Sequence, residues 1–386
     1  MIASSADIRR LCERIHAADR VAIDTEFHHE RSYAPRLMVV QLAFADGVAI
    51  VDPLAAHDLS SIVRALCSTT VVGHALAGDL KIFADRFGLV PPKVFDCQIA
   101  ASFLGYGMAI SLADLVRELC GVHLKKSQTV SDWSVRPLSE RQIDYLIDDV
   151  AHLLQMESAL SQRLKEKGRY EWALEECRTL GDIGRYRVDE RRAYARIPGA
   201  NRMTRRELGV LAELVHLREG LARQRDVPSK YILPDDVLAG LATLRPRTAA
   251  ELAQLRRLDA GARRTLGSAI LEAVSRGEQR AEEDLPARFT RPLGNVRETL
   301  VAVMNVIVGE IAREHELPPS LLVPRASLER AARELPATRE DLQAILDLSP
   351  WRARLVVEPL WELLHGNKTL RIEGYGDGDP RITVQS

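Results

Sequence analysis

Short apolar runs alternate with helical stripes along the first part of this chain, and only helical stripes follow. Val21–Ile23, Leu37–Phe44, Val48–Val51 and Thr70–Val72 are rich in branched apolar residues and read as strands. Ala6–Ala17, Leu59–Cys67 and Ala77–Phe87 carry helix-period patterns between them. Val90-Pro91-Pro92 interrupts the alternation, and a helix is predicted through Asp96–Leu104. Gly105-Tyr106-Gly107 marks a turn, Leu112–Cys120 reads as a helix, and Leu138–Lys167 contains a long one. The pattern predicts an α/β domain of about 165 residues.

Beyond Gly168 the strand signals vanish. Glu207–Arg225, Pro234–Leu241, Thr248–Leu255 and Ala260–Arg276 read as helices separated by short turns bearing Pro or Gly. After a charged stretch the scheme recurs at Val296–His315, Arg325–Glu334, Arg339–Leu346 and Trp351–His365. Each series sets a long helix before a Pro-containing turn (Asp226-Val227-Pro228, Leu317-Pro318-Pro319), then steps through Leu233-Pro234 or Val323-Pro324 into the next helix. A repeat of about 90 residues is too long for a solenoid and suits two small helical domains. The expected division is 1–167 for the α/β domain, 168–204 for a basic helical linker, 205–285 and 292–370 for the two helical units, and 371–386 for a Gly- and Asp-rich tail expected to fray.

Composition narrows the class only a little. The 386 residues carry a net charge of −1, which by itself favours no polyanionic partner. Between Arg163 and Arg206, however, thirteen Lys or Arg stand against seven Asp or Glu, as in a solvated linker or a surface for a phosphate backbone. No apolar run approaches the roughly 18 residues of a membrane span, and the first residues lack a secretory pattern. Five scattered cysteines without a C-x-x-C read as reduced thiols, so a cytoplasmic protein is expected.

The candidate chemistry begins at Asp24 and Glu26. Residues i and i+2 of a strand share a face, so both carboxylates project together from the end of the Val21–Ile23 strand. Paired anions call for a cation, and carboxylate oxygen suits a divalent metal. Asp79 follows in the first turns of a helix that turns Leu76, Leu80 and Phe83 inward. On the helix through Ile143, Leu146 and Val150, Asp149 lies at the edge of the apolar stripe, one turn after Tyr145. Asp148 falls nearly opposite the stripe and is expected in solvent.

This order of D-x-E, Asp and Tyr-x-x-x-Asp resembles the tyrosine-bearing branch of the DEDD superfamily of 3′→5′ exonucleases. Ile23-Asp24-Thr25-Glu26-Phe27, Arg31-Ser32-Tyr33-Ala34-Pro35, Val40-Gln41-Leu42, Phe95-Asp96-Cys97-Gln98, Lys126-Ser127-Gln128 and Asp132-Trp133-Ser134-Val135-Arg136-Pro137 are similar to segments of the ribonuclease D family. The helical units resemble the HRDC domain, the first more clearly, in Arg218–Pro228 and Ile232-Leu233-Pro234. The resemblance covers nearly the whole chain. It implies a ribonuclease H-like α/β exonuclease domain, a mixed sheet flanked by helices, followed by two all-α HRDC-like domains. It also implies two divalent ions, Mg²⁺ or Mn²⁺, held by Asp24, Glu26, Asp79 and Asp149, with Tyr145 orienting the attacking water. The implied substrate is RNA with a free 3′ end, tRNA precursors included, shortened one 5′-mononucleotide at a time, with no membrane and no nucleotide cofactor. Thr25, Phe27, Gln41, His74, Lys126 and Gln128 are the candidate substrate contacts. His28 and His29 are expected at the surface without a chemical role, and Asp96 and Trp133 are expected to be mainly structural.

Two other readings stand beside this one. A DNA 3′→5′ exonuclease would use the same fold, although no G-x-x-x-x-G-K-[ST] loop or polymerase motif accompanies it here. A nucleic-acid-binding protein acting through its helical units would not need the four acids and the tyrosine. The helical units are expected to touch RNA, to contact the catalytic domain or to act as spacers, and deleting residues from about Arg206 onward is expected to weaken RNA binding but leave hydrolysis of short oligonucleotides.

Overall fold

The computed structural model describes every residue except 1, 3, 29–31, 57, 125–131, 188, 288, 290–292, 374–380 and 386. Its first part is α1 (Ser5–His16), β1 (Arg20–His28), β2 (Arg36–Phe44), β3 (Gly47–Val51), α2 (Leu59–Leu66), β4 (Thr70–Gly73), α3 (Ala77–Phe87), β5 (Val94–Asp96), α4 (Cys97–Ser102), α5 (Leu112–Cys120), α6 (Glu140–Ala151), α7 (Leu153–Glu166) and α8 (Tyr170–Leu180). The strands form one mixed sheet in the order β3-β2-β1-β4-β5, antiparallel from β3 to β1 and parallel from β1 to β5. Strand β5 was not expected from the sequence. It has only three residues, but all are buried and pair with β4.

Alternation along β1 assigns its two faces. Val21 and Ile23 share a core with Leu76 just before α3, with Leu80 and Phe83 of α3, and with α1 and α2. Ala22 belongs to the opposite core, with α4, α5 and α7. Asp24 and Glu26 therefore emerge on the face that α6 and α7 cover, and Thr25 on the face that α3 covers.

The single long helix expected in Leu138–Lys167 is two helices, broken at His152 (φ −99°, ψ −8°). The apolar stripe serves two different cores: Leu146 packs with Val39, Trp133 and Leu138, whereas Leu153, Met156 and Leu160 pack beneath β1 and β4. A continuous straight helix would not meet both. Asp148 is half-buried, and Ile147 is the stripe residue left exposed.

The second part is helical: α9 (Arg205–Arg225), α10 (Ser229–Ile232), α11 (Asp235–Leu244), α12 (Ala249–Leu252) and α13 (Ala260–Gln279), then α14 (Asn295–Glu314), α15 (Pro319–Leu322), α16 (Arg325–Glu334), α17 (Arg339–Leu346) and α18 (Pro350–Leu364). The repeat extends to the backbone. Asp226 and Glu316 follow the two long first helices with φ near +50°, and Arg245 and Leu335 do the same after α11 and α16. In the first unit α9 and α13 touch at Gly277, where a Cβ would stand 2.4 Å from Val210 Cα. The tail departs from expectation, since Thr369–Glu373 pairs antiparallel with Arg381–Gln385 as a two-stranded ribbon, β6–β7.

Both helical units dock on the α/β domain. Trp351 of α18 stacks on Trp172 (centroids 5.0 Å, 12°) and meets the edge of Phe103 at 5.4 Å. Arg352 pairs with Glu176 at 2.7 Å, and Arg169 donates to the carbonyls of Phe103 and His315. The first unit holds the start of β2: Asp226 pairs with Arg36 and accepts the Tyr33 N–H (3.2 Å), while Arg223 lies over the Tyr33 ring. Much of the basic stretch is used within the molecule, as Lys167 pairs with Glu316 and Arg205 and Arg206 bind Glu282.

Candidate active site

The site lies at the carboxyl end of β1, reached from both faces of the sheet. Asp24 and Glu26 come from β1, whose pairing with β2 is irregular between Glu26 and Phe27. Asp149 comes from α6, which starts at a capping box: Ser139 accepts the Gln142 N–H and Gln142 accepts the Ser139 N–H. Asp24, Glu26 and Asp149 each present a carboxylate oxygen, all within 4.8 Å of one another. Asp79, only 6% exposed, approaches from α3 and accepts a hydrogen bond from the Thr25 hydroxyl.

A second carboxylate places Asp79. Asp96, 2% exposed, accepts the backbone N–H groups of Ala75 (3.2 Å), Leu76 (2.8 Å), Gln98 (2.8 Å) and Ile99 (3.1 Å). It thereby caps α4 and also the start of α3, where no local side chain does so. Ala75 sits in this turn at φ +58°, a strained conformation for alanine. At Gly73 a Cβ would stand 2.3 Å from Leu76 Cδ2, so β4 must end there in glycine for Leu76 to pack. Asp96 is thus more than a general structural residue, because it fixes the turn that delivers Asp79.

Burial lifts all four acids, and repulsion within the cluster adds to it at Asp24 and Glu26. Glu26 is pushed up to about 8 by burial and by Asp149 and Asp79. Asp24 is raised well above the carboxylate range by burial, then by Asp79, Asp149 and Glu26. Asp79 rises to about 6 through burial, against the Thr25 hydroxyl, which favours its charged form. Asp149 also rises to about 6 through burial, opposed by a hydrogen bond from Tyr145. Burial and the neighbouring anions raise Tyr145 as well. Four anions at one strand end, with shifts that a bound cation would reverse, fit a divalent metal site.

The candidate substrate contacts divide. Phe27 is half-buried against the α3 side of the sheet. The Thr25 side chain is buried and committed to Asp79, so it positions an acid and does not face substrate. His74 donates from Nε2 to the Ile110 carbonyl (3.0 Å), and burial lowers its pKa, which argues against a charged phosphate contact. Gln41 is 0% exposed and cannot touch RNA from this position; neither atom of its amide has a hydrogen-bond partner. Leaving such a buried group unpaired costs about 1–3 kcal/mol. Lys126, Gln128 and His29 lie outside the described residues.

Three contacts around the acids had no clear signal in the sequence. Trp133 lies 5.8 Å from the Tyr145 ring and backs it. His28, expected to be a bare surface residue, accepts the Trp133 N–H at 3.3 Å. Arg136 makes a double hydrogen bond to buried Asp52 and also donates to the Trp133 and Met38 carbonyls, anchoring this wall to the sheet.

Comparison with known proteins agrees with this fold. A 3′-5′ exonuclease family matches residues 1–165, and the HRDC domain matches residues 207–274 and 298–364. Ribonuclease D of Granulibacter bethesdensis is 35% identical over 97% of this chain and 94% of its own length. The enzyme of Gluconacetobacter diazotrophicus is 34% identical over 97% and 95%. The crystal structure of Escherichia coli RNase D, described as an exoribonuclease involved in structured RNA processing, superposes with a TM-score of 0.83 at 30% identity, covering 95% of this chain and 98% of that one. The catalytic core of RRP6 from Trypanosoma brucei shares the fold at 23% identity (TM-score 0.55, 72% of this chain and 78% of that one). The chain belongs to the ribonuclease D family and is a hydrolytic 3′→5′ exoribonuclease.

Proposed function

We propose that Asp24, Glu26, Asp79 and Asp149 hold two divalent cations, Mg²⁺ or Mn²⁺, and that the enzyme releases 5′-mononucleotides from RNA 3′-OH ends, tRNA precursors among them. The observation that carries the reading is the convergence of these four acids with Tyr145 at the end of β1. Bound there, the ions would supply an acidified attacking water and charge stabilisation for the departing 3′-oxygen. Asp24 and Glu26 face the α6 side and Asp79 the α3 side, so the acids grip from both sides of the strand. The phenol of Tyr145, raised above its ordinary pKa, keeps its proton and orients water by hydrogen bonding. Trp133 and Asp149 fix that ring from its face and from its hydroxyl. Phe27, beside the irregularity at Glu26, stacks on the terminal base.

The test follows 5′-labelled single-stranded RNA and matched DNA in Mg²⁺ and in EDTA, with 3′-OH and 3′-phosphate ends. A metal-dependent ladder shortening from the RNA 3′-OH end, absent in Asp24→Ala and slowed in Tyr145→Phe, is the expected result. Equal loss of DNA would remove the selectivity for RNA. Cleavage undiminished in EDTA or in Asp24→Ala would remove the metal reading.

A further inference from the structure

We propose that Gln41 is a positioning residue of the metal centre, its side-chain amide, unpaired in the metal-free fold, taking hold of the Asp24 carboxylate when a cation is bound so that one oxygen faces the ion. The inference rests on the metal reading above.

Buried amides in folded proteins nearly always have partners. Gln41 is fully enclosed in a central strand, and both its Nε2 and its Oε1 are unpaired. The register says what it faces. Gln41 is paired directly with Asp24 across the antiparallel β1–β2 ladder and with Ile50 across β2–β3. Directly opposed residues project on the same face with Cβ atoms about 4.5–5.5 Å apart. Two further carbons let the glutamine amide span that gap.

Its other strand neighbours on this face are less well placed than Asp24. Val39 and Ala43 flank it along β2 and are apolar. Asp52, just past the end of β3, is already held by both arms of Arg136. Glu26 is diagonal on β1, about 7–8 Å away in a regular ladder, so it is farther from Gln41 than the directly opposed Asp24. Asp24, directly opposite, is the carboxylate nearest to the unpaired Nε2 and would accept from it once a cation orders the site.

An amide suits this place for a reason that a hydrocarbon or an acid does not. It donates to a carboxylate and accepts from water, and it adds no charge to a cluster of four anions. A leucine would fill the same volume in the metal-free fold without an unpaired polar group. The glutamine therefore detracts from the empty fold and repays that in the loaded one, as functional groups commonly do.

The test uses full-length Gln41→Leu and Gln41→Met. Mn²⁺ binding is followed through the resonance signal of the free aqua ion, melting is measured in EDTA, and kcat and KM are taken on a short RNA. Both variants are expected to melt in EDTA at or above the wild-type temperature. They should bind Mn²⁺ roughly tenfold to a hundredfold more weakly, the usual effect of losing a residue that supports a metal ligand. The loss should fall on kcat and leave KM unchanged. Wild-type affinity for Mn²⁺ in both variants would overturn the proposal. So would failure of both to fold, which would make the amide a plain requirement of the core. Wild-type protein that binds no Mn²⁺ would instead bring down the metal reading itself.

Discussion

Thr25 stands between two metal-site candidates in sequence and serves a third across the sheet. Its hydroxyl favours the charged form of Asp79, whose carboxyl otherwise rises to about 6 through burial. Thr25→Val should therefore raise the Asp79 pKa further. Because a cation needs the carboxylate, the acid limb of the pH profile of kcat/KM in Mg²⁺ should move to higher pH, and the deficit should shrink in alkaline buffer. An unshifted limb would show that Thr25 does not act through Asp79. The same acids give the metal-free protein a pH-dependent stability. Folded-state values near 6 for Asp79 and Asp149, near 8 for Glu26, and raised for Asp24 all exceed the unfolded values of about 4. Between those limits the native state holds more protons than the unfolded chain. As far as these groups decide it, stability in EDTA should then be greatest below about pH 4 and should fall as pH rises toward 8. Mg²⁺ should restore more of it at pH 8 than at pH 6. Melting temperatures in both media, with Glu26→Gln flattening the EDTA curve, check this.

The elements show which parts of this arrangement the sequence could reveal. Apolar periodicity located β1 to β4 and most helices, and the Pro-bearing steps disclosed the helical repeat, because these signals are local. Ser139 and Gln142 announce the start of α6 in the same local way. The spacing of Tyr145 and Asp149 on one helix was legible for that reason too. What stayed hidden depends on partners far along the chain. Gln41 looked like a substrate contact because nothing in its own segment says that β3 and β1 enclose it. Strand β5 is too short to signal itself, and the β6–β7 ribbon pairs segments on either side of a Gly- and Asp-rich stretch. Asp96 is the clearest case, a helix cap whose second pair of hydrogen bonds reaches twenty residues back to Ala75 and Leu76. Asp96→Ala should cost on the order of 3 kcal/mol, since it strands several buried N–H groups. Asp96→Asn keeps the oxygen that serves Ala75, Gln98 and Ile99 but turns an amide toward the Leu76 N–H. It should cost less stability than Asp96→Ala while still displacing the turn that delivers Asp79. Activity should accordingly fall by a larger factor than the melting temperature alone would explain. A proportional loss of both would make Asp96 a simple stabiliser.

At the scale of the whole molecule the helical units are not spacers. Each long first helix ends in an acidic residue at positive φ that pairs with the α/β domain, Asp226 with Arg36 and Glu316 with Lys167. These pairs are half-exposed and worth little alone. Apolar packing contributes more, because Phe103, Leu160 and Leu164 of the α/β domain share one continuous core with Met304, Val308 and Trp351 of the second unit. The contacts change what a truncation should do. Removing everything after residue 205 would uncover Trp172 and Phe103 and release Tyr33 and Arg36 at the start of β2, directly opposite the end of the strand that carries Glu26. The expectation that cleavage of short oligonucleotides survives such a deletion therefore gives way to its opposite. The truncated protein should melt at lower temperature, tend to self-associate, and lose hydrolysis even of a dinucleotide too short to reach the helical units. Trp351→Ala in the full chain isolates the apolar contact and should cost about 3–5 kcal/mol, the usual range for emptying a buried tryptophan site. If the truncated protein stays monomeric and cleaves a dinucleotide at the full-length rate, the shared core contributes nothing to the site. If Trp351→Ala lowers stability while dinucleotide cleavage below the melting transition is unchanged, the second unit supports the fold, and any catalytic dependence lies with the first unit's hold on β2.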